Sequence, residues 1–154
     1  MSVTEIKLNV HGILSDSASE AQIIILRDEK AVEILPIWVG VTEGNAIRFA
    51  IEGITSARPL THDLFKNLID HLRVEVIKVV ITEIRNNTYY ATIHLHRDGT
   101  PLTIDARPSD AIALALRTKC AIYTVPEVLK KKSQENLDAW LERLKPKDFG
   151  KYDA

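Results

Sequence analysis

The sequence predicts an α+β fold in a single domain, an antiparallel or mixed β-sheet meander with helices packed against it. Apolar residues alternate with polar ones at Ile6, Leu8 and Val10, which is the period of a strand with one buried face. Later segments with the apolar period of a helix are interleaved with further strand-like segments. The 154 residues suffice to bury one core, so we assign residues 1–154 to one domain with its core at 3–130.

The first third of the chain is predicted to form three strands, at residues 3–14, 21–26 and 32–39. Residues 27–30, Arg-Asp-Glu-Lys, are typical of a hairpin tip between the second and third strands. Pro36 interrupts the third strand. Because proline cannot donate to a β-ladder, we expect this strand at an edge of the sheet or at a bulge.

Two helices are predicted next. Thr42 is the candidate N-cap of the first helix, Glu43 lies in its first turn, and Gly53 ends it. The inward stripe of this helix is predicted to consist of Ala46, Ile47, Ala50 and Ile51. Thr61 is the candidate N-cap of the second helix, whose apolar stripe consists of Leu64, Phe65, Leu68, Ile69 and Leu72.

The second half is predicted to begin with strands at 74–84 and 88–96, joined at Asn86–Asn87 because asparagine tolerates positive φ. Asp98–Gly99 is a second turn signal, before a strand at 102–105. Pro108 then opens a helix without a polar stripe at 111–116, so we expect it to be covered on most sides. The predicted remainder is a strand at 121–125, a brief helix from Pro126, an amphipathic helix at 133–145 and a polar tail at 146–154.

Composition excludes several classes of protein. The formal net charge is −1, so the chain lacks the strongly basic character of a tight, nonspecific DNA binder. No apolar run approaches the ~20 residues that span a bilayer, and residues 1–9 lack the pattern of a signal peptide. Cys120 is the one cysteine, so no internal disulfide can form. These features predict a cytoplasmic protein without a membrane partner.

Arginines that precede prolines at helix entrances suggest a site for an anion. Arg58 and Arg107 can each form paired hydrogen bonds with a phosphate or carboxylate, and helix N-termini add free N–H groups. Ser109 is a candidate substrate contact at the same helix entrance. An internal ion pair, for example of Arg107 with Asp105 or Asp63, explains that arginine equally well.

Acidic residues gather at the same predicted helix starts. Asp105 ends a strand, and with Asp110 and Glu43 it could bind a divalent cation such as Mg²⁺, which favours oxygen ligands. Histidine is a common proton-transfer residue, so His62 and the adjacent Asp63 are candidates for that role. An acid in the first turn also stabilises a helix through its dipole, so each acid except Asp105 has a purely structural interpretation.

Three motifs resemble the bifunctional nuclease domain family. They are residues 35–40 (Leu-Pro-Ile-Trp-Val-Gly) followed by Glu43, residues 58–64 (Arg-Pro-Leu-Thr-His-Asp-Leu) and residues 105–111 (Asp-Ala-Arg-Pro-Ser-Asp-Ala). The resemblance extends over residues 6–125 and also includes the segment at 146–152. It implies a mixed α+β fold and a nuclease that acts on DNA and RNA, but it implies no particular catalytic residues.

The sequence thus supports two functional hypotheses. The first is a nuclease that hydrolyses phosphodiester bonds with the help of a divalent metal at Asp105, Asp110 and Glu43. In it, Arg58 and Arg107 stabilise phosphate charge, and His62 or Asp63 moves the proton. The alternative is a non-catalytic, oligomeric binding or regulatory module that holds a small anion or a peptide at the Arg-Pro helix entrances. Because short meanders leave sheet edges to be covered, we expect a homo-oligomer, with a dimer favoured.

Overall fold

The computed structural model describes residues 4–15, 20–30 and 33–132. The elements within these residues are β1 (Ile6–Ser15), β2 (Gln22–Asp28), β3 (Ile34–Val39), α1 (Val41–Glu52), α2 (Thr61–His71), β4 (Glu75–Arg85), β5 (Thr88–Arg97), β6 (Thr100–Ala106), α3 (Pro108–Thr118), β7 (Ala121–Thr124) and α4 (Pro126–Lys132). The strands form one sheet in the order β3-β2-β1-β7-β4-β5-β6. β4 and β7 run parallel, and the other neighbouring strands run antiparallel. The predicted α+β class is confirmed.

The first three strands form the predicted meander. β3 lies at one edge of the sheet, as the position of Pro36 within it predicted. The predicted hairpin tip between β2 and β3 begins too early, because the ladder with β1 continues to Asp28, which lies opposite Leu8. The turn therefore starts at Glu29 rather than at Arg27.

Both predicted turns in the second half are confirmed. Asn86 and Asn87 connect β4 to β5 with φ values of +52° and +59°, the left-handed conformation that asparagine tolerates. Asp98 and Gly99 connect β5 to β6 with φ values of +48° and +80°. These local conformations explain why Asn, Asp and Gly occupy the four positions.

The helix α3 lies at the centre of the core. It packs against β4, β5 and β7, and both α1 and α2 pack against it. Five consecutive residues of α3 are each at most 1% exposed: Ala111, Ile112, Ala113, Leu114 and Ala115. The prediction of a helix covered on most sides is confirmed, and this burial fixes the position of the polar residues at its N-terminus.

The start of α1 differs from the prediction by two residues. Its N-cap is Gly40 rather than Thr42, and the carbonyl of Gly40 accepts a hydrogen bond from the N–H of Gly44 at 2.9 Å. A Cβ at Gly40 would lie 2.5 Å from Oε2 of Glu43, so glycine leaves room for this carboxylate to fold back over the cap. The predicted end of the helix at Gly53 is confirmed by its left-handed conformation.

The start of α2 differs by one residue. Leu60 is the N-cap instead of Thr61. The carboxylate of Asp63 accepts a hydrogen bond from the N–H of Leu60 at 3.0 Å, so Asp63 supplies the capping interaction from inside the first turn.

The predicted apolar stripes are only partly buried. In α1, Ile47 is fully buried, but Ile51 is 37% exposed, which contradicts its predicted inward position. In α2, Ile69 is buried because it faces the core, whereas the other side of the stripe faces outward. Leu64, Leu68 and Leu72 are 62%, 53% and 48% exposed.

Two further predictions concern the C-terminal part of the chain. The brief helix from Pro126 is confirmed as α4. The helix predicted at 133–145 and the tail at 146–154 lie outside the described residues. No helix in the described part of the chain has both the length and the apolar character needed to cross a membrane.

Candidate active site

Three segments that are distant in sequence line a cavity of about 530 Å³. They are the junction of β3 with α1, the β4–β5 connection and the start of α3. This volume is within the range of small-molecule sites, and the wall combines aromatic with charged side chains. The lining residues are Ile37, Trp38, Val39, Gly40, Glu43, Asn87, Thr88, Tyr89, Arg107, Pro108 and Ser109.

Arg107 connects α1 to α3 at the mouth of this cavity. Its Nε donates to Oδ2 of Asp110 at 2.9 Å, and its Nη2 donates to Oδ1 of the same carboxylate at 3.3 Å. Its Nη1 donates to Oε1 of Glu43 at 3.2 Å. The ion pair expected with Asp105 or Asp63 is therefore formed with different acids. The Arg107 side chain remains 63% exposed, so solutes can reach it.

His62 extends the cluster from α3 to α2. Its Nε2 lies 2.9 Å from Oδ1 of Asp110, the oxygen that also accepts from Arg107. The His62 side chain is 15% exposed, and that of Asp110 is 34% exposed. We call Glu43, His62, Arg107 and Asp110 the Arg107 cluster.

The contacts of the cluster favour the ionised form of Asp110. Burial raises the pKa of this carboxyl, but hydrogen bonds from Arg107 and His62, with the charge of the guanidinium, together lower it below the ordinary value. Hydrogen bonding and charge from Asp110 likewise raise the pKa of Arg107, burial opposes that shift, and Glu43 adds to it. The Arg107 guanidinium is therefore permanently charged, and the carboxylates of Glu43 and Asp110 flank it.

Asp63 belongs to a separate ion pair. Nε of Arg117 donates to Oδ1 of Asp63 at 2.8 Å, and the Arg117 side chain is 8% exposed. The hydrogen bonds from Arg117 and from the N–H of Leu60 lower the pKa of Asp63, although burial opposes them. This pair joins α2 to the C-terminal half of α3, about two turns from Asp110.

The other predicted site residues are not joined to the Arg107 cluster. Ser109 is 7% exposed and lines the cavity. Arg58 is exposed in the loop before α2, and Asp105 is exposed on β6 opposite Thr92. Among the described residues, neither Arg58 nor Asp105 forms a side-chain hydrogen bond or ion pair.

The three predicted metal ligands are not assembled in the described ranges. Within them, no group of three or more His, Cys, Asp or Glu side chains is arranged to hold a metal ion. Glu43 and Asp110 are connected through the Arg107 guanidinium, and Asp105 does not join them. These residues do not fit a resident divalent ion, and the requirement for one stays a prediction.

Sequence reasoning missed two parts of the site. Asn87 was assigned only to a turn, yet Asn87, Thr88 and Tyr89 line the cavity opposite α3. Arg117 was not singled out, although it binds Asp63. No local signal identifies them, because each acts through an element distant in sequence.

Comparisons with known proteins point to one family. A model of the bifunctional nuclease domain matches residues 24–136. An uncharacterized protein of Mycobacterium tuberculosis is 35% identical over 123 residues, which cover 80% of this chain and 73% of that protein. Bifunctional nuclease 1 of Arabidopsis thaliana is 30% identical over 114 residues, 72% of this chain and 35% of the plant protein. Bifunctional nuclease 1 of Oryza sativa subsp. japonica is 30% identical over 112 residues, 71% of this chain and 34% of that protein. The chain thus spans about a third of these plant relatives.

Proposed function

The chain belongs to the bifunctional nuclease domain family, and on this premise we propose that it hydrolyses phosphodiester bonds of DNA and RNA. The observation that supports the proposal most is the Arg107 cluster, of which Glu43 and Arg107 line the cavity while His62 and Asp110 lie beside it. It combines an exposed guanidinium with a histidine held by a carboxylate. Phosphodiester hydrolysis needs these two functions, stabilisation of phosphate charge and proton transfer.

Arg107 is the proposed phosphate-binding residue. Three of its N–H donors bind Asp110 and Glu43, which fixes the plane of the guanidinium. The remaining donors are available for phosphate oxygens on the exposed side. Ser109 and the free N–H groups at the start of α3 support the same role, because the helix dipole favours an anion there.

His62 is the proposed proton-transfer residue, and Asp110 positions it. Asp110 holds Nε2 of His62, so Nδ1 is the nitrogen that can accept a proton from the attacking water. The negative charge of Asp110 stabilises the imidazolium formed in this step. Asp63 is less suited to the role, because its carboxylate already accepts from Arg117 and Leu60.

A divalent ion is proposed separately, because the proposed roles of Arg107 and His62 do not depend on it. When bound, such an ion would activate water and neutralise phosphate charge. Mg²⁺ is commonly held by one or two carboxylates together with substrate phosphates, so a substrate could bring the missing ligands. Arg58, which is exposed before α2, is proposed to contact the nucleic acid beyond the cavity, and Asp105 remains a candidate ligand of the divalent ion.

One observation favours the alternative of a non-catalytic binding module. Arg107 is flanked by two carboxylates, and the net charge of the chain is −1, so the site lacks the positive groove typical of nucleic-acid enzymes. In this alternative the cavity binds a small anion at Arg107 without cleaving it.

A cleavage assay on extensively purified protein separates the two functions. We expect single-stranded and duplex DNA and RNA to be cut by the wild type, and His62→Gln and Arg107→Gln to lose at least ~100-fold in rate. Asp70→Asn, which alters an exposed acid of α2 outside the cluster, is the matched control. Addition of a chelator tests the divalent ion independently. Equal cleavage by the wild type and all three variants would show that a contaminating enzyme cuts the nucleic acid, and the assignment would fail.

A further inference from the structure

Trp38 is an exposed aromatic residue on the wall of the cavity that Arg107 also lines. It lies near the end of the edge strand β3 and is 39% exposed, whereas its neighbours Ile37 and Val39 are 3% and 8% exposed. Because side chains alternate along a strand, Trp38 faces away from the core that Ile37 and Val39 enter. A large aromatic residue that is exposed beside an arginine is a candidate for contact with a ligand.

The neighbouring strand β2 supports Trp38. Ile23 lies directly opposite Trp38 in the β2–β3 ladder and is fully buried. Directly opposed residues of paired strands lie on the same face of the sheet and close enough for their side chains to interact. Ile23 therefore restricts the tryptophan from the β2 side, and the exposed part of Trp38 is a positioned aromatic surface.

Trp38 is shared by two cavities. The first is the cavity of about 530 Å³ at Arg107. The second has a volume of about 470 Å³ and shares Trp38, Val39 and Gly40 with the first. Its lining residues are Glu20, Ala21, Trp38, Val39, Gly40 and Val41. Glu20 is the one charged residue among these described residues, and its negative charge disfavours a phosphate. The second cavity therefore suits a neutral group such as a nucleobase.

We propose that Trp38 is a stacking platform for the base of an unpaired nucleotide whose phosphate Arg107 binds. The inference rests on the proposed nuclease function and specifies its substrate as single-stranded nucleic acid. The exposed guanidinium of Arg107 binds the phosphate, and the aromatic residue on the wall of the same cavity binds the base. Every base has an aromatic face, so stacking on Trp38 tolerates any sequence, in DNA and in RNA.

Stacking on Trp38 requires a base whose face is accessible. In a duplex both faces of a base are covered by its neighbours, so the nucleotide must be unpaired and unstacked before it reaches the platform. A single strand needs little of this rearrangement. We therefore expect a single strand to be cut at least ~10-fold faster than a duplex of the same sequence.

Binding of short strands to the full chain tests the platform apart from the cleavage chemistry. The probes are a fluorescein-labelled oligothymidylate and an abasic strand of the same length, which carries the same phosphates without bases. Fluorescence anisotropy is measured in the His62→Gln background, so that cleavage does not interfere. A base stacked on an aromatic side chain changes affinity by about 5- to 150-fold, so the oligothymidylate should bind at least ~5-fold more tightly than the abasic strand.

Variants of Trp38 assign that difference to its ring. Trp38→Ala should bring the affinity for the oligothymidylate down to that for the abasic strand, and Trp38→Phe should retain part of the difference. The affinity for the abasic strand should stay the same in both variants. Ile51→Ala, at an exposed apolar residue of α1 that lines neither cavity, is the matched control. Circular dichroism checks that each variant is folded.

Tryptophan fluorescence tests the contact without a change at Trp38 itself. The chain has two tryptophans, so Trp140→Phe leaves Trp38 as the one emitter. Saturating oligothymidylate should quench this emission, because a stacked base quenches an indole. The abasic strand at saturation should leave the emission unchanged.

The outcomes distinguish this inference from the proposed function. Equal affinity of Trp38→Ala and its parent for the oligothymidylate, unquenched Trp38 emission, or equal cleavage of duplex and single strand each overturn the platform, even if the protein is a nuclease. Binding that depends on Trp38 in a wild type that cleaves nothing supports the platform and overturns the nuclease. Absence of binding to both strands overturns the platform as well.

Discussion

The ion pair between Asp63 and Arg117 joins α2 to α3, so its removal should lower the free energy of unfolding. Asp63→Asn removes the carboxylate that accepts from Nε of Arg117 at 2.8 Å, but it keeps an acceptor for the N–H of Leu60. A hydrogen bond between charged groups contributes about 1.5–3 kcal/mol. Because the Asp63 side chain is 37% exposed, solvent weakens the pair and the lower end applies, about 1.5 kcal/mol. For a chain of this length, the melting temperature should fall by about 3–6 °C.

The same pair has a defined pH dependence. The folded-state pKa of Asp63 lies below the ordinary value of 3.8, so its contribution to the free energy of unfolding is fully present above that pH. The contribution is lost as the pH falls through the lowered pKa, when the folded carboxylate becomes protonated. The difference between the wild type and Asp63→Asn should therefore be constant from pH 7 to about 5 and shrink towards pH 3.

Urea unfolding followed by circular dichroism, at one protein concentration, measures this difference. Asp70→Asn is the matched control, since Asp70 lies on the same helix and pairs with Lys66 at 2.7 Å but is 54% exposed. The control should cost less than about 0.5 kcal/mol. If Asp63→Asn costs no more than the control, or if its effect does not change down to pH 3, the Arg117 pair does not stabilise the fold as argued.

Two further stability predictions follow from backbone positions. Gly44→Ala should lower the free energy of unfolding by about 1–3 kcal/mol, because its Cβ would lie 1.9 Å from Oε1 of Gln22. An unchanged urea midpoint would contradict this prediction and show that the Gln22 side chain moves aside at no cost. Lys119→Gly should raise that free energy by about 0.5–1 kcal/mol, because Lys119 ends α3 in the left-handed region with φ +61°; a lower midpoint would contradict this.

Local chemistry made much of the fold predictable. Pro36 indicated an edge strand because proline cannot donate to a β-ladder. Asn86 and Asn87 indicated a tight turn, and Gly53 a helix end, because asparagine and glycine tolerate a positive φ. The buried helix α3 was predictable for a similar reason, since its run of apolar residues leaves no face for water. The helix starts were placed less well, because Gly40 has no side chain that could signal a cap, and capping at Leu60 depends on Asp63, which folds back from inside the first turn.

The partners within the site were not predictable from the sequence. Arg107 binds Glu43 across 64 positions, and Arg117 binds Asp63 across 54 positions. Such pairings follow from how α1, α2 and α3 pack, and several acids were equally plausible on charge alone. The outward half of the α2 stripe was missed for another reason. Apolar periodicity shows which face of a helix is apolar, and it does not show how much of that face the rest of the chain covers.

In the proposed mechanism, Asp110 is held by Arg107 and positions His62 for phosphodiester cleavage. The single-turnover cleavage rate of Asp110→Asn tests this role, because the substitution preserves the shape of the side chain and removes its charge. We expect a loss of at least ~100-fold while circular dichroism shows the variant to be folded. A rate equal to that of the wild type would contradict this role of Asp110.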